Sequence, residues 1–478
     1  MNRRIRRREA GALDLGGAIH PVLQRVYAAR GIRVAEEVSV GLDRLLPVGT
    51  LERVDAAAAL LAKHRQGGRV LVIGDFDADG ATSTALMVRL LRAWGFQADF
   101  LVPNRFEFGY GLTPEIVALA AERHPTLIVT VDNGISSTAG VAAARGGGID
   151  VLVTDHHLPG RELPAANVIV NPNAGGSAFG SRALAGVGVA FYVLAALKRL
   201  LDAAGDLPSG APGPAEYLDL VALGTVADLV PLDANNRVLV AQGLKRIRAE
   251  RCVPGIRAML ALAGRQRGDL TAADLAFGVA PRLNAAGRID DMAVGIQCLL
   301  ADDPELAAAL AAELERLNQE RRAIEARMQA DALAAVRRLT ERGVEECAVV
   351  AAGPGSARRE PVNAITLFDE SWHQGVVGLV AGRIKERTGL PTIAFARAGE
   401  GTLRGSARSV PGLHIRDVLD AIAARHPDLI SRFGGHAMAA GLTLGPDDLD
   451  RFARAFEEEV TRVGGVGSGE WIDTDGEL

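Results

Sequence analysis

The chain has little cysteine and no long hydrophobic run. Its 478 residues include three cysteines, Cys252, Cys298 and Cys347, and none of them forms a CxxC pair. This spacing excludes a cysteine-based zinc site and suits a reducing compartment. The longest uncharged apolar run covers residues 183–197, which is shorter than the roughly 18–20 residues that span a bilayer. Because no apolar signal core is present either, we expect a soluble, cytoplasmic protein without a membrane anchor.

Lysine is also scarce, so arginine carries most of the positive charge. Only four lysines occur, and the net charge is −5, which argues against a generally basic coat for nucleic acid. A local basic groove remains compatible with that balance, and arginine suits bidentate contacts to phosphate. A GC-rich coding bias explains the same arginine content equally well. Hydrophobic residues at 48% and charged residues at 23% are ordinary for a globular protein.

Short apolar runs alternate with helical patterns in the first half of the chain. The apolar runs predict buried strands at residues 70–73, 127–131, 151–153 and 168–170. The intervening patterns predict helices, for example at residues 81–94 and 113–122. This alternation predicts a doubly wound α/β sheet. Ligands of such sheets bind beyond the carboxyl ends of the strands.

A long helical pattern follows at about residues 304–340. Asp303 can cap this helix and Pro304 suits its first turn. At 1.5 Å per residue the helix would approach roughly 55 Å, which predicts a connector between domains. Apolar runs at residues 348–351, 365–368 and 392–395 start a second α/β unit.

The length predicts two or three domains, and the pattern places their boundaries. The chain divides into an N-terminal arm with helices at 1–50, a parallel-sheet domain at 51–301, the connector helix at 302–342, a smaller α/β domain at 343–463, and a linker with the start of a further C-terminal module at 464–478.

Acidic residues stand at the ends of three predicted strands. Asp75, Asp132 and Asp155 each follow an apolar run directly. Because parallel strands end at the same edge of a sheet, these carboxylates converge. Converging carboxylates raise one another's pKa values unless a cation neutralises them. The pattern therefore predicts a divalent metal site.

The first acidic cluster, GDFDADG, adds Asp77 and Asp79 to Asp75. It superficially matches a calcium-binding EF-hand loop, but the twelfth position of that loop requires Glu and is Leu86 here. A strand also precedes the cluster, where an EF-hand would have a helix. A turn that caps the following helix explains one aspartate but hardly three, so a metal site is the better interpretation.

Two histidines, His156 and His157, follow Asp155, and a further acid, Asp228, stands isolated in an apolar stretch. One histidine at a strand end is often only a satisfied polar group. Two beside several acids indicate a metal ligand and a phosphate contact. Oxygen ligands with one imidazole favour Mn²⁺ or Mg²⁺ over zinc. Such a set can hold two cations and hydrolyse a phosphoester, but the chemistry alone leaves DNA, RNA, a dinucleotide and pyrophosphate open as substrates.

These residues resemble the signature of the DHH phosphoesterase superfamily, and the resemblance to its RecJ family is closer. It runs from about residue 69 to residue 441. It rests on these segments: GDFDADGATSTAL, VPNRFEFGYGL, VDNGISS, TDHHLPG, AGVGVAFY, LVALGTVADLVPLDANNR, PRLNAAGRIDD, WHQGVVG, RGSARS and FGGHAMAAG.

The resemblance implies a DHH domain joined by a long helix to a smaller DHH-associated domain. It also implies a processive 5′→3′ exonuclease that degrades single-stranded DNA to 5′-mononucleotides with Mn²⁺ or Mg²⁺. Its metal ligands would be Asp75, Asp77, Asp79, Asp132, His156 and Asp228. His157 would contact the scissile phosphate and act with Asp77, Asp132 and His156 in catalysis, while water activated by two cations would be the nucleophile.

Substrate-binding residues are predicted in both domains. Arg105 and Tyr110 lie in a loop whose arginine and aromatics suit phosphate and base contacts, although a packed loop fits that pattern nearly as well. Arg282, Asn284 and Arg288 lie in PRLNAAGR, where a structural salt bridge is an equal alternative for the arginines. RGSARS places Arg404, Ser406 and Arg408 on one face of a strand. The resemblance adds these residues of the second domain: His373, Arg383, Arg404, Ser406, Arg408, Ser409, Gly435 and His436.

Two other functions compete with this one. A DHH oligoribonuclease or cyclic-dinucleotide phosphodiesterase is generally shorter and lacks the motifs between Leu220 and Asp291. A non-catalytic scaffold would lack metal ligands, whereas every expected position is filled. The resemblance further implies a role in DNA repair and recombination, with a single-strand-binding protein and a helicase as partners. We expect the chain to act as a monomer.

Overall fold

The computed structural model describes most of the chain, and its contacts divide into two compact units. The described residues are 4–9, 11, 15, 19–103, 111–160, 162–265, 268–341, 348–349, 363–399, 401–463 and 471–476. One unit is Gly11–Asn318, and the other combines Met1–Ala10 with Gln319–Leu478. Among the described helices, none is both long and apolar enough to cross a membrane.

The strands, numbered in chain order, are β1 Arg4–Arg7, β2 Arg69–Gly74, β3 Gln97–Leu101, β4 Leu127–Val131, β5 Asp150–Thr154, β6 Val168–Val170, β7 Ala348–Val349, β8 Ile365–Phe368, β9 Thr392–Arg397, β10 Leu403–Arg408, β11 Arg432–Gly435, β12 Ala439–Leu444 and β13 Trp471–Thr474.

The α-helices, numbered in the same way, are α1 Pro21–Ala29, α2 Val54–Lys63, α3 Ala78–Ala93, α4 Pro114–Ala121, α5 Thr138–Gly146, α6 Gly186–Ala204, α7 Leu218–Ala227, α8 Ala234–Arg248, α9 Pro254–Leu262, α10 Ala272–Asp274, α11 Ala280–Ile289, α12 Ala293–Leu300, α13 Pro304–Glu341, α14 Val377–Thr388, α15 Ile415–Arg425 and α16 Leu449–Arg462. Short 3₁₀ turns are Ala35–Val38, Leu42–Arg44, Val48–Thr50, Pro214–Tyr217 and Pro446–Asp448, and Leu275–Val279 is a π-helical turn.

The unit formed by Gly11–Asn318 is built on a parallel five-stranded sheet of order β3-β2-β4-β5-β6. All four strands predicted from apolar runs are present, so the predicted parallel sheet is confirmed. The sequence pattern missed β3, which forms one edge of the sheet. Gln97 and Asp99 are exposed, whereas Ala98 and Leu101 are buried, so the strand lacks the continuous apolar run of a fully buried strand.

Helix α3 begins three residues earlier than the apolar pattern indicates, at Ala78. The carboxylate of Asp77 accepts hydrogen bonds from the backbone N–H groups of Asp79 and Gly80, each at 3.0 Å. An aspartate at this position satisfies N–H groups that the first helical turn leaves unpaired. The cap therefore places Asp79 in the first turn of the helix, directly after Asp77 and Ala78.

Helices α7 and α8 pack closely at Gly243. A Cβ on Gly243 would lie 2.1 Å from the carbonyl oxygen of Leu218 and 2.4 Å from the Cβ of Ala222. Only glycine permits this approach of the two backbones. The packing holds α7, which is buried along most of its length, and thereby the position of Asp228 at its C-terminal end.

The second unit is built on a six-stranded sheet of order β11-β12-β10-β9-β8-β7. Strands β7, β8 and β9 pair in parallel, whereas β9, β10, β12 and β11 pair antiparallel.

Helix α13 extends over 38 residues, which confirms the predicted long helix. In the unit that combines Met1–Ala10 with Gln319–Leu478, strands β1 and β13 pair in parallel. Nε of Arg6 donates to Oδ1 of Asp473 at 2.7 Å.

Replacing Gly243 with alanine should destabilise the protein by about 1–3 kcal/mol, the usual effect of overpacking a closed interface. The measurement is the free energy of unfolding from urea denaturation. The matched control is Gly146→Ala in helix α5, where a Cβ meets no atom within 4 Å. That variant should be neutral or slightly more stable, because alanine favours the helix. Equal stability of both variants would contradict the close packing of α7 and α8.

Candidate metal centre

The carboxyl edge of the parallel sheet carries the three predicted aspartates. Gly74 pairs with Val131, and Val131 pairs with Thr154. The residue that follows each of these in the chain is an aspartate: Asp75, Asp132 and Asp155. Strand register therefore places the three acids side by side at one edge, as the sequence pattern predicted.

Asp132 lies at the centre of this edge. Its backbone has a φ of 61°, in the left-handed region that few side chains other than Asn and Asp tolerate. Oδ1 of Asp132 lies 3.1 Å from Nε2 of His156, and the same nitrogen lies 3.5 Å from Oδ2 of Asp228. One imidazole is thus shared between an acid that follows β4 and an acid that follows α7.

Asp79 is held by the N-terminus of helix α6. Its two carboxylate oxygens accept hydrogen bonds from the backbone N–H groups of Gly186 at 2.7 Å and Val187 at 2.9 Å. A Cβ on Gly186 would lie 2.6 Å from Oδ1 of Asp132, so glycine is required for this helix end to reach the acids. The sequence pattern did not reveal these backbone donors, although Gly186 lies in the glycine-containing motif AGVGVAFY.

The six predicted ligands, together with His157, form three groups, and within each group the ligand atoms lie within 4.8 Å of one another. These groups are Asp75 with Asp77 and Asp132; Asp79 with His156 and Asp228; and Asp132 with His156 and His157. Carboxylate oxygens with one or two imidazoles are a donor set for Mn²⁺ or Mg²⁺. The residues present therefore fit divalent cations, and the structure brings all six predicted ligands together.

Burial and mutual repulsion raise the pKa values of three of these acids. Burial, reinforced by the charge of Asp77, raises the pKa of Asp79 to about 7. Burial and then the charge of Asp79 raise the pKa of Asp228 to about 9. Burial, followed by the charges of Asp79 and Asp77, raises the pKa of Asp132 well above its ordinary value. Because these buried carboxylates repel one another, a bound cation would lower the electrostatic free energy of the site strongly.

Asp155 orients the two histidines. It is 1% exposed, and its Oδ1 accepts hydrogen bonds from the backbone N–H of His156 at 2.7 Å and from that of His157 at 3.0 Å. The same oxygen lies 2.8 Å from Nδ1 of His157. Burial lowers the pKa of His157, but the hydrogen bond and charge of Asp155 outweigh it and raise that pKa to about 9. Asp155 therefore orients His157 and favours its protonated form.

The three residues predicted in PRLNAAGR lie on helix α11. Oδ1 of Asn284 accepts a hydrogen bond from the backbone N–H of Ala78 at 2.8 Å, which fixes the start of α3. Arg282 is buried, with Nε 2.6 Å from Glu315 Oε2, and it donates to the carbonyl oxygen of Gly278. Arg288 is partly exposed near the C-terminus of α11. The structure thus provides internal partners for Asn284 and Arg282.

In the second unit, strand β10 alternates between buried and partly exposed residues. Arg404, Ser406 and Arg408 occupy the partly exposed positions, so the predicted common face is confirmed. Nη1 of Arg408 donates to Oγ of Ser406 at 3.0 Å. A Cβ on Gly378 would lie 2.7 Å from Nη2 of Arg408 and 2.8 Å from Oγ of Ser406, which places the first turn of α14 against this face.

The other residues predicted in the second unit occupy varied surroundings. Nδ1 of His373 accepts from the backbone N–H of Gly375 at 3.1 Å. Arg383 is exposed, with Nε 3.5 Å from Glu325 Oε1. Ser409 is buried and its Oγ donates to the carbonyl oxygen of Leu413 at 2.7 Å. Gly435 has a φ of 147°, and the backbone N–H of His436 donates to Ala439 at 2.8 Å.

The predicted contacts Arg105 and Tyr110 lie outside the described residues. So do parts of the predicted segments 343–463 and 464–478, namely residues 343–347, 350–362, 400, 464–470 and 477–478.

Replacing Asp132 with asparagine should stabilise the metal-free protein by about 0.5–2 kcal/mol. The change removes a buried charge that its neighbours repel, and asparagine tolerates the left-handed backbone. Thermal unfolding should be measured in a chelator and again with Mn²⁺. The wild type should gain stability from Mn²⁺, whereas the variant should lose most of that gain.

The control for this measurement is Asp202→Asn, which alters an exposed ion pair with Lys198 and should change stability little. An undiminished Mn²⁺ effect in Asp132→Asn would contradict a cation at this edge of the sheet.

Comparison with known proteins places both units in one family. The model of the DHH family, N-terminal domain, matches residues 69–225, and that of the DHHA1 domain matches residues 361–462. The single-stranded-DNA-specific exonuclease RecJ of Salmonella typhimurium is 51% identical over 477 residues, which cover 98% of this chain and 79% of that protein.

Solved structures agree with this relationship. The crystal structure of RecJ in complex with Mn²⁺ from Thermus thermophilus matches with a TM-score of 0.76 and 33% identity, covering 95% of this chain and 61% of the other. A crystal structure of exonuclease RecJ bound to manganese matches with a TM-score of 0.70 and 36% identity, covering 87% of this chain and 96% of the other. The chain therefore belongs to the RecJ family and is built from a DHH domain followed by a DHHA1 domain.

Proposed function

We propose that the chain is a metal-dependent 5′→3′ exonuclease that hydrolyses single-stranded DNA to 5′-mononucleotides. The observation that carries this proposal is the set of overlapping carboxylate and histidine groups at the carboxyl edge of the sheet, with ligand atoms within 4.8 Å of one another. The relationship to single-stranded-DNA-specific exonucleases that are 51% identical to this chain supplies the substrate class.

The number of ligands favours two cations. Asp75, Asp77, Asp79, Asp132, His156 and Asp228 would hold them, with Asp132 and His156 each belonging to two of the three groups. Divalent cations bound as a pair activate water and neutralise charge on the transferring phosphoryl group. Relatives with Mn²⁺ and with Mg²⁺ bound have been solved, so either metal suits the proposal.

His157 provides positive charge beside the acids. Its Nδ1 lies 2.8 Å from Oδ1 of Asp155, so the buried carboxylate holds the imidazole ring in one orientation. Because Asp155 also binds the backbone N–H groups of both histidines, the imidazole is oriented before the substrate arrives. A preorganised charge of this kind stabilises the charge that develops on phosphate during hydrolysis. Asp155 is thus a positioning residue, while Asp77, Asp132, His156 and His157 act at the reacting atoms.

The partly exposed face of β10 suits a second phosphate. Arg404 and Arg408 supply charge, Ser406 supplies a hydroxyl, and the first turn of α14 lies against them through Gly378. Unpaired N–H groups at a helix N-terminus favour anions. We include the other predicted contacts in the proposal: Arg105, Tyr110, Arg282, Asn284, Arg288, His373, Arg383, Ser409, Gly435 and His436.

The biological setting follows from the family. Degradation of single strands from the 5′ end serves DNA repair and recombination, with a helicase to unwind the end and a single-strand-binding protein to cover the rest. A monomer would suffice, since one chain supplies every predicted ligand.

The first test incubates the chain and Mn²⁺ with end-labelled single-stranded DNA, with duplex DNA, RNA and dinucleotides as parallel substrates. Nucleotides should be released from the 5′ ends of single strands, and Asp77→Ala should reduce kcat by at least about 10²-fold, as loss of electrostatic stabilisation at a catalytic site does. The control is Asp55→Ala, which removes an exposed partner of Arg199.

Cleavage of dinucleotides or very short RNA alone would overturn the proposal in favour of a small-substrate phosphodiesterase. Absence of both turnover and Mn²⁺ binding would favour a non-catalytic scaffold.

The second test replaces Arg408 with alanine. If this face binds DNA phosphate, KM for single-stranded DNA should rise about tenfold, the usual value of a hydrogen bond to a charged group, while kcat changes little. The slope of log affinity against log salt concentration should also decrease in magnitude by about one, the value of one phosphate contact. The matched control is Arg397→Gln on β9, whose exposed side chain pairs with Glu370. An unchanged KM and salt dependence would remove this face from the proposal.

A further inference from the structure

Leu229 occupies an unusual position beside the metal centre. It follows Asp228 directly, and at 77% it is the most exposed large hydrophobic side chain among the described residues. Its φ of 61° lies in the left-handed region, which is unfavourable for leucine and accepts glycine or asparagine more readily. Neither burial nor backbone conformation explains a leucine here. Strain of this kind at a ligand-binding edge indicates that the side chain serves the ligand.

The backbone around Leu229 is fixed on both sides. The N–H of Asp228 donates to the carbonyl oxygen of Gly224 at 3.0 Å, and that of Asp233 donates to Pro231 at 2.9 Å. Nδ2 of Asn236 also donates to the carbonyl oxygen of Pro231 at 3.0 Å. The side chain is therefore presented from an ordered turn, so little backbone conformational entropy is lost when a ligand covers it.

A second exposed leucine flanks the same ligands. Leu158 follows His157 and is 63% exposed, and its preceding backbone is held by Asn171, whose Nδ2 donates to the carbonyl oxygen of His157 at 2.9 Å. Nε2 of His156 and Oδ2 of Asp228 lie 3.5 Å apart. The two leucines, here called the apolar lip, thus flank two chain segments that meet at the metal centre.

We propose that the apolar lip contacts the unpaired bases next to the scissile phosphate, with Leu229 as its main element. The inference rests on the proposed function, because it requires single-stranded DNA at this site. An apolar side chain has no charge and no hydrogen-bond donor for a phosphate, but it can pack against the flat face of any base. Such a contact suits an enzyme that degrades strands without regard to sequence. Bases stacked inside a duplex cannot offer that face, so the lip selects single strands by a contact rather than by steric exclusion alone.

The test compares Leu229→Asn and Leu229→Met with the wild type on two oligonucleotides. One carries normal bases, and the other lacks bases at its first three 5′ nucleotides. With normal DNA, Leu229→Asn should lower kcat/KM about tenfold. This is the loss expected when the contact that buries an apolar side chain of this size against a base is removed. With the abasic oligonucleotide it should change kcat/KM less than about twofold, because that substrate has no base to contact. Leu229→Met should behave like the wild type on both.

Thermal unfolding separates this role from a structural one. Asparagine relieves the backbone strain, so Leu229→Asn should unfold at the same or a higher temperature. The matched control is Leu200→Asn, at an exposed site near the C-terminal end of α6, roughly 21 Å along the helix from Gly186. It should leave both substrates unaffected.

Equal losses on normal and abasic DNA, or no loss on either, would overturn the inference while leaving the exonuclease assignment intact. An inactive wild type would instead contradict the proposed function. In that case fluorescence anisotropy in a chelator still decides the inference: Leu229→Asn should weaken binding of normal but not of abasic single strands, and equal affinities would refute it.

Discussion

Mutual repulsion of buried carboxylates is the constraint on which the rest of this structure depends. Asp79, Asp132 and Asp228 have raised pKa values because burial and their neighbours both oppose their charge. A folded protein keeps such a group only when other interactions hold it in place. Here the hydrogen bonds of the parallel sheet, the N-terminus of α6 and the packing of α7 on α8 supply that support. The same repulsion provides the affinity for divalent cations.

The support comes from segments far apart in the chain. Helix α6 donates backbone N–H groups to Asp79 across 107 residues of sequence, and Asn284 of α11 accepts from Ala78 across 206 residues. Each of these contacts fixes the position of the predicted ligand Asp79 or of the residue next to it. Several elements thus meet at this edge of the sheet, and their hydrogen bonds fix the positions of the acids.

The three residues of the DHH triplet have different surroundings in the structure. The triplet of Asp155, His156 and His157 suggests three equivalent functional groups when it is read as a sequence. In the structure, His156 turns toward Asp132 and Asp228, whereas Asp155 is buried and binds His157 together with the backbone of both histidines. His156 is a candidate metal ligand, His157 is the proposed phosphate contact, and Asp155 orients both histidines.

The sequence by itself determined the parallel sheet, the long helix, the acids at the strand ends and the common face of Arg404, Ser406 and Arg408. These features depend on local periodicity, which side-chain alternation and apolar runs express directly. Only the tertiary structure decided that Asn284 and Arg282 have internal partners, that α6 supports Asp79, and that Leu229 stands exposed beside Asp228. Those facts depend on which distant segments meet, and pairings between segments leave no periodic signal in a single sequence. Edge strand β3 was missed for a related reason, since its exposed face carries polar residues that interrupt the apolar run.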